Sequence, residues 1–175
     1  MVERVIGGKV VRLIRADITE LDVEAFVFDI ESDMKLGAGF GSAIQRRGGI
    51  VIQKELDQIG SCPTGEAVVT QAGILKADYI IHVNGPKFRE VDEEAKLRSA
   101  TKSAMLRADE KGVKRLAIPP IGTGLYQVPM DLCVRVMVDT VAEHLSNSTT
   151  LEEVLIVTMD EREFDPFKQA IEGGA

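Results

Sequence analysis

The sequence has 175 residues, of which 45% are hydrophobic and 28% charged, and this predicts one globular domain over residues 1–175 with a core from about residue 10 to 171. Its 21 basic and 28 acidic residues give a net charge of −7, which argues against duplex nucleic acid as a partner. Two cysteines without a C-x-x-C or Cys/His cluster predict neither a metal site nor a disulfide framework, and no cofactor is expected. Without a signal peptide or an apolar run of ~18–20 residues, we expect a cytoplasmic protein with no membrane partner. The sequence leaves its oligomeric state open.

Strands and helices are predicted to alternate along the chain. Apolar, β-branched runs predict strands at residues 9–15, 24–30, 66–70, 79–83, 115–118 and 151–158. Helices are predicted at residues 42–47, 50–59, 93–111, 130–145 and 160–171, either from apolar residues at helical spacing or from the length of the segment between two turns. This alternation predicts an α/β fold with a mostly parallel sheet wrapped by helices.

A glycine-rich stretch, KLGAGFGSAI at residues 35–44, follows the second predicted strand. Glycine lets the backbone adopt positive φ and approach a ligand closely. A helix that begins directly behind such a loop directs its free N–H groups toward the loop, which suits a phosphate. A tight structural turn explains three alternating glycines about equally well, so the stretch needs support from elsewhere in the chain.

A second glycine stretch, residues 121–126 (IGTGLY), follows another predicted strand. Because ligands of α/β sheets bind at the carboxyl ends of strands, the two stretches together suggest a clamp on a diphosphate. A plain strand-to-helix turn is the alternative. Asp17 ends the first predicted strand, where it either accepts a hydrogen bond from an amine such as that of adenine or caps a helix, and spacing alone favours the cap. Tyr126 has two interpretations: it covers a sugar or a base of the ligand, or it is a half-buried tyrosine without a ligand role.

The remaining reactive residue types give little indication of catalysis. His82 lies within an apolar strand and is expected in the core, whereas His144 is predicted on a solvated helix face. Cys62 and Cys133 are expected to be packing residues. The hydroxyl residues considered as nucleophiles, Ser42, Thr64 and Thr123, show no Ser/His/Asp order. No pair of carboxylates is close enough in sequence to indicate general acid–base catalysis. The residues by themselves therefore predict a binding protein.

Five segments, in order, resemble the motifs of the macro domain family, whose members are ADP-ribose-binding α/β/α modules. ADIT (16–19) is similar to the family's G-D-I-T, and LGAGF (36–40) to its first phosphate loop. CPTGEA (62–67) matches C-P-T-G-E-A, and IHVNGP (81–86) is similar to I-H-x-V-G-P. PPIGTGLY (119–126) is similar to P-x-I-[SG]-T-G-[IV]-[YF]. The resemblance runs from about residue 10 to 171. It implies a three-layer α/β/α fold with a mixed, mostly parallel sheet, and ADP-ribose or an ADP-ribosylated protein as the partner.

The resemblance also implies a role for each matching position. Asp17 and the Ile18 backbone would recognise adenine, and Met159 or Phe164 would cover its face. The first loop would hold the diphosphate and distal ribose, and the second would close from the other side, with Tyr126 against that ribose. The loop residues implied are Leu36, Gly37, Ala38, Gly39, Phe40, Gly41, Ser42, Gly122, Thr123, Gly124, Leu125 and Tyr126.

The chain departs from the family pattern where hydrolytic members carry catalytic groups. Phe28-Asp29-Ile30-Glu31 replaces N-A-A-N, so the asparagine that handles the distal ribose becomes Glu31. The loop aspartate of some hydrolases becomes Gly41, and the first-strand glycine becomes Ala16. We therefore expect binding to be retained more readily than catalysis.

Three hypotheses follow from this comparison of motifs. The first is a non-catalytic or weakly catalytic reader of ADP-ribose. The second is a hydrolase of ADP-ribosyl esters or O-acetyl-ADP-ribose in which Glu31, Asp29 or a bound water acts as the base. The third is a degenerate domain without a nucleotide site. The intact glycine stretches favour the first and argue against the third.

Overall fold

Seven strands form a single sheet in the computed structural model, which describes residues 1–37, 39–123 and 127–173. The strands are β1 (Val2–Ile6), β2 (Lys9–Arg15), β3 (Ala25–Asp29), β4 (Ala67–Gln71), β5 (Tyr79–Val83), β6 (Arg115–Ile118) and β7 (Glu153–Thr158). The helices are α1 (Gly39–Gly48), α2 (Val51–Ile59), α3 (Glu93–Glu110), α4 (Met130–Leu145) and α5 (Glu161–Glu172). A short 3₁₀ helix spans Ile18–Glu20. None of the helices within these ranges is long and apolar enough to span a membrane.

The strand order across the sheet is β1-β2-β7-β6-β3-β5-β4. The two outermost pairings, β1 with β2 and β4 with β5, are antiparallel. The inner pairings are all parallel, which confirms the predicted mixed, mostly parallel sheet. The carboxyl ends of β2, β7, β6, β3 and β5 consequently lie along one edge, where parallel α/β sheets form their ligand sites.

Helices cover both faces of the sheet, as the predicted three-layer architecture requires. One core cluster joins the sheet to α3, α4 and α5, and the other joins it to α1 and α2. Strand β7 shows how the two faces are built: Val154 and Ile156 belong to the first cluster, and Leu155 and Val157 to the second. Because helices cover both faces, strands β3, β5, β6 and β7 are mostly apolar along their length, whereas β2 also carries basic residues.

Strand β1 was not predicted, and α1 begins earlier than predicted. β1 is an edge strand whose burial alternates, with Glu3 and Val5 exposed, so it lacks the apolar run of the inner strands. Its turn at Gly7 and Gly8 makes it the first strand of a hairpin with β2. Helix α1 starts at Gly39 instead of residue 42, so two glycines of the first loop lie in its first turn.

The two histidines are both buried, which confirms the prediction for His82 and shows that the prediction for His144 was wrong. His82 is fully buried with Nε2 2.9 Å from Thr70 Oγ1, and burial lowers its pKa to about 3. His144 is 3% exposed on α4, with Nδ1 2.9 Å from Lys102 Nζ and Nε2 2.9 Å from Asp109 Oδ2. Burial lowers the pKa of His144 although Asp109 opposes the shift, and the neutral ring links α4 to α3. Cys62 and Cys133 are buried packing residues, as predicted.

Candidate functional site

A cavity of about 450 Å³ lies at the carboxyl edge of the sheet. It is bounded by the ends of β2, β7, β6 and β3 and by the start of α1, so its walls come from segments far apart in sequence. The residues that line it are Ala16, Ile18, Val27, Phe28, Asp29, Glu31, Lys35, Gly39, Phe40, Gly41, Pro119, Pro120, Gly122, Val157 and Met159. The two glycine stretches of the sequence thus meet at one cavity.

The polarity of the wall changes along the strand order. At the β2 and β7 end the lining residues are apolar, namely Ala16, Ile18, Val157 and Met159. Gly122, which follows β6, lies between the two ends, and the first turn of α1 lies beside Phe28 of β3. The β3 end carries the carboxyl groups of Asp29 and Glu31. Such a wall suits an elongated ligand with a flat apolar group at one end and a polar group at the other.

Asp29, the last residue of β3, connects the ends of three strands through its carboxylate. Oδ1 accepts a hydrogen bond from the Gly85 N–H at 3.2 Å, and Oδ2 accepts one from the Gly122 N–H at 2.8 Å. Burial raises the pKa of Asp29 to about 6, with Glu31 adding to the rise and the two amides and Lys87 opposing it. The second glycine stretch is therefore held in place by a carboxyl group that titrates close to neutral pH.

Asp17 caps the 3₁₀ helix after β2 and is paired with a cation from α1. Its Oδ1 accepts hydrogen bonds from the Thr19 N–H at 3.0 Å and the Thr19 hydroxyl at 2.6 Å. Its Oδ2 lies 2.6 Å from Arg47 Nη1. Burial raises the pKa of Asp17, but the hydrogen bonds from Thr19 and Arg47 outweigh it and hold the pKa below its usual range. The carboxylate is ionised at neutral pH, and its neighbours Ala16 and Ile18 line the cavity.

The Macro domain family model matches residues 30–137, more than half of the chain. The chain belongs to the macro domain family. An uncharacterized protein of Saccharolobus solfataricus is 39% identical over 165 residues, which cover 92% of each chain. A protein of Pantoea vagans named O-acetyl-ADP-ribose deacetylase 1 is 36% identical over 163 residues, covering 90% of this chain and 95% of its own.

Solved structures share the fold of this macro domain. The Oceanobacillus iheyensis macrodomain, described as a structure with ADP, superposes with a TM-score of 0.92 over 98% of this chain and 94% of its own. Its sequence identity is 21%, so this likeness establishes the architecture of the chain and nothing of its ligand. The same arrangement of a seven-stranded sheet between helices was predicted from the sequence motifs, and the fold prediction is confirmed.

The macro domain brings about half of the predicted site residues to the cavity wall. The predicted residues that line it are Ile18, Asp29, Glu31, Gly39, Phe40, Gly41, Gly122 and Met159. Those described but absent from the wall are Asp17, Leu36, Gly37, Ser42, Thr123 and Phe164. Ala38, Gly124, Leu125 and Tyr126 lie outside the described residues, so their predicted roles stay predictions.

The structure distinguishes between the two residues that were predicted as alternatives to cover the adenine ring. Met159 lines the apolar end of the cavity and is 65% exposed, whereas Phe164 packs against the core cluster on the other face of the sheet. Of the two residues proposed to cover adenine, only Met159 is therefore placed beside the cavity. Leu36 is 1% exposed and Thr123 is 6% exposed, so both side chains are buried in the interior of the protein.

Several lining residues were missed by the sequence reasoning. Val27, Phe28, Lys35, Pro119, Pro120 and Val157 all line the cavity. A signal existed for several of them, because Pro119, Pro120 and Val157 lie at or just after the end of a predicted inner strand. Lys35 is the first residue of the first glycine-rich stretch. Nothing in the sequence indicated that Arg47 pairs with Asp17, since 30 residues separate them and no motif links them.

Two aromatic rings form part of the cavity wall. The rings of Phe28 and Phe40 have centroids 6.4 Å apart and an angle of 27° between their planes. Phe28 also meets the buried His82 ring edge-on, with centroids 6.3 Å apart. Phe28 replaces the first asparagine of the family motif N-A-A-N, so this chain has an apolar aromatic surface where that motif has an amide.

Proposed function

We propose that this macro domain binds ADP-ribose, free or attached to a protein, and that it works as one domain with little or no catalytic activity. The observation that carries the proposal is the meeting of Gly39, Gly41 and Gly122 in one cavity at the carboxyl edge. Gly39 and Gly41 are the first and third residues of α1, so backbone N–H groups without intrahelical partners are available there. Backbone amides and a helix N-terminus bind phosphate without basic side chains, which suits a protein of net charge −7.

The two ends of the cavity fit the remaining parts of ADP-ribose. The apolar end between Ile18 and Met159 offers a surface for the adenine ring. Asp17 lies beside that end as a carboxylate able to accept a hydrogen bond from the exocyclic amine. At the β3 end of the cavity, the Glu31 carboxylate offers acceptors for the hydroxyl groups of the second ribose. The volume of about 450 Å³ is within the range of small-ligand sites, which argues against a degenerate domain.

The test of the adenine end is calorimetric titration of ADP-ribose into wild type and Asp17→Ala. We expect binding in wild type and a loss of affinity of about tenfold or more in the variant, which is about 1.4 kcal/mol. Asp17→Ala also removes the cap of the 3₁₀ helix, so Asp17→Asn serves as the matched control, because its amide oxygen can still accept from Thr19. A second control, Arg47→Gln, removes the cation and leaves the carboxylate. Unchanged affinity in Asp17→Ala would contradict the assigned role, and no heat in wild type at millimolar ligand would contradict the proposed function.

A second candidate function is hydrolysis of O-acetyl-ADP-ribose or of ADP-ribosyl esters. It is favoured by the Pantoea vagans relative named as a deacetylase and by Asp29, whose pKa of about 6 suits a general base near neutral pH. Both carboxylate oxygens of Asp29 already accept backbone hydrogen bonds, which leaves Glu31 as the other candidate. Turnover with a carboxylate-like limb in the pH–rate profile that Glu31→Gln or Asp29→Asn abolishes would establish catalysis. Bound ligand without turnover would leave the reader function alone.

The proposal extends to partners and location. We infer a cytoplasmic protein that meets ADP-ribose as a free metabolite or as a modification on another protein, and that has neither duplex nucleic acid nor membrane as a partner. Its acidic composition supports this, because a phosphate backbone would be repelled from most of the surface. Retention of a mono-ADP-ribosylated peptide on the immobilised domain, compared with the unmodified peptide, distinguishes a protein-bound target from a free metabolite.

A further inference from the structure

The β3 end of the cavity, where Asp29 and Glu31 lie, has an excess of negative charge. Among the described residues that line the cavity, the charged ones are Asp29, Glu31 and Lys35. The Lys35 ammonium lies 2.9 Å from Asp57 Oδ1, so its charge is already balanced outside the cavity wall. Lys87 donates to Ser32 Oγ at 2.8 Å and opposes the charge of Asp29 without lining the cavity. Glu31 therefore leaves this end of the cavity negative.

An aromatic surface lies in the same wall as these carboxylates. Phe28 and Phe40 both line the cavity, and their rings are stacked at an angle of 27°. The face of an aromatic ring attracts a cation through its quadrupole, and the attraction grows when the site excludes water. A flat organic cation can contact a ring and a carboxylate at once, whereas a neutral group gains no attraction between charges from Glu31 and an anionic group is repelled by it.

The orientation of the ligand follows from the function proposed above, on which this step rests. With adenine at the apolar β2 and β7 end and the diphosphate at the glycines, the other end of the ligand reaches the β3 end. That end is the second ribose together with whatever group its anomeric carbon carries. The diphosphate is repelled by Glu31, and a cation on the second ribose offsets this repulsion.

We propose that this macro domain prefers ADP-ribosyl ligands whose second ribose carries a planar nitrogen cation, such as the pyridinium ring of NAD⁺. Glu31 is the residue that determines this specificity, and Phe40 provides the surface on which the cationic ring stacks. The replacement of the family asparagine by Glu31 then has a positive role in ligand choice.

The test compares NAD⁺ with NADH, which have nearly the same shape and differ in the charge of the nicotinamide ring. Calorimetry should give a dissociation constant for NAD⁺ at least about fivefold lower than for NADH in wild type, equivalent to about 1 kcal/mol. In Glu31→Gln the ratio of the two constants should approach one, and in Phe40→Leu it should fall part of the way. Glu172→Gln, which removes the same charge from an exposed position at the end of α5, should keep the wild-type ratio.

The outcomes separate this inference from the function on which it rests. Equal constants in wild type, tighter binding of NADH, or a ratio that Glu31→Gln does not change would each overturn the cation preference. ADP-ribose binding in those same samples would leave the proposed function intact. Absence of heat with all three ligands would overturn both proposals.

Discussion

Replacing Gly122 by alanine should weaken ADP-ribose binding by at least about tenfold, or about 1.4 kcal/mol, and should also destabilise the fold. Gly122 has φ of +80°, a conformation that costs other residues about 1–2 kcal/mol. A Cβ atom there would lie 2.6 Å from Val128 Cγ2 and 3.3 Å from the Pro86 carbonyl oxygen. Adding the crowding to the strain, we expect a loss of about 2–4 kcal/mol in the free energy of unfolding.

The loop has little freedom to relax around such a Cβ atom. The Gly122 N–H donates to Asp29 at 2.8 Å, and its carbonyl oxygen accepts from the Val128 N–H at 2.7 Å. Any shift that relieves the contact with Val128 therefore lengthens one of these bonds and moves the rim of the cavity. The expected loss of affinity comes from this displacement of the loop.

Gly37→Ala is the matched control for the substitution at Gly122. No heavy atom lies within 4 Å of a Cβ built at Gly37, and its φ is not in the left-handed region. Thermal unfolding of Gly37→Ala should match wild type, so any change in its affinity reports how closely the ligand approaches the first loop. Wild-type affinity in Gly122→Ala, with the protein folded, would contradict a role for this loop in binding.

Local pattern was sufficient to predict the inner strands and the longer helices. Strands β2, β5 and β6 and helix α4 have the predicted bounds, because apolar runs or a clear helical face end at turn residues in each case. The edge strand β1 escaped prediction because one side of it is exposed, although Gly7 and Gly8 before a predicted strand are a recognisable hairpin signal.

The parts of the site that could not be predicted depend on contacts distant in sequence. Asp29 contacts Gly85 and Gly122, which are 56 and 93 residues away, and no local rule connects these positions. His144 was placed in solvent because its helix face is otherwise charged. Its partners, Lys102 and Asp109, belong to another helix 42 and 35 residues earlier. The sequence motifs located the cavity, but the groups that hold its walls together became visible only in three dimensions.

The second large effect concerns Asp29 and the dependence of stability on pH. The folded protein holds the Asp29 proton up to a pKa of about 6, whereas the ordinary value is 3.8. The folded state therefore binds more protons than the unfolded state between these values, and the free energy of unfolding falls as the pH rises through this window. Below pH 3.8 the contribution of Asp29 vanishes, and above pH 6 the penalty is complete. We expect a penalty of about 2–3 kcal/mol, at 1.36 kcal/mol for each pKa unit.

Asp29→Asn isolates this contribution because it has no titrating group and retains an oxygen that can accept from the Gly122 N–H. The lowered pKa of His144 has the opposite effect, because it decreases the free energy of unfolding as the pH falls. His144 titrates in both proteins, so its contribution cancels in their difference. Urea unfolding between pH 4 and pH 7.5 should show wild type losing about 2–3 kcal/mol relative to Asp29→Asn as the pH rises. A flat difference, or one that favours wild type at high pH, would mean that the two backbone amides stabilise the carboxylate more than burial destabilises it. Asp29 would then act as a permanent anion in the cavity wall, and its assignment as a general base near neutral pH would fail.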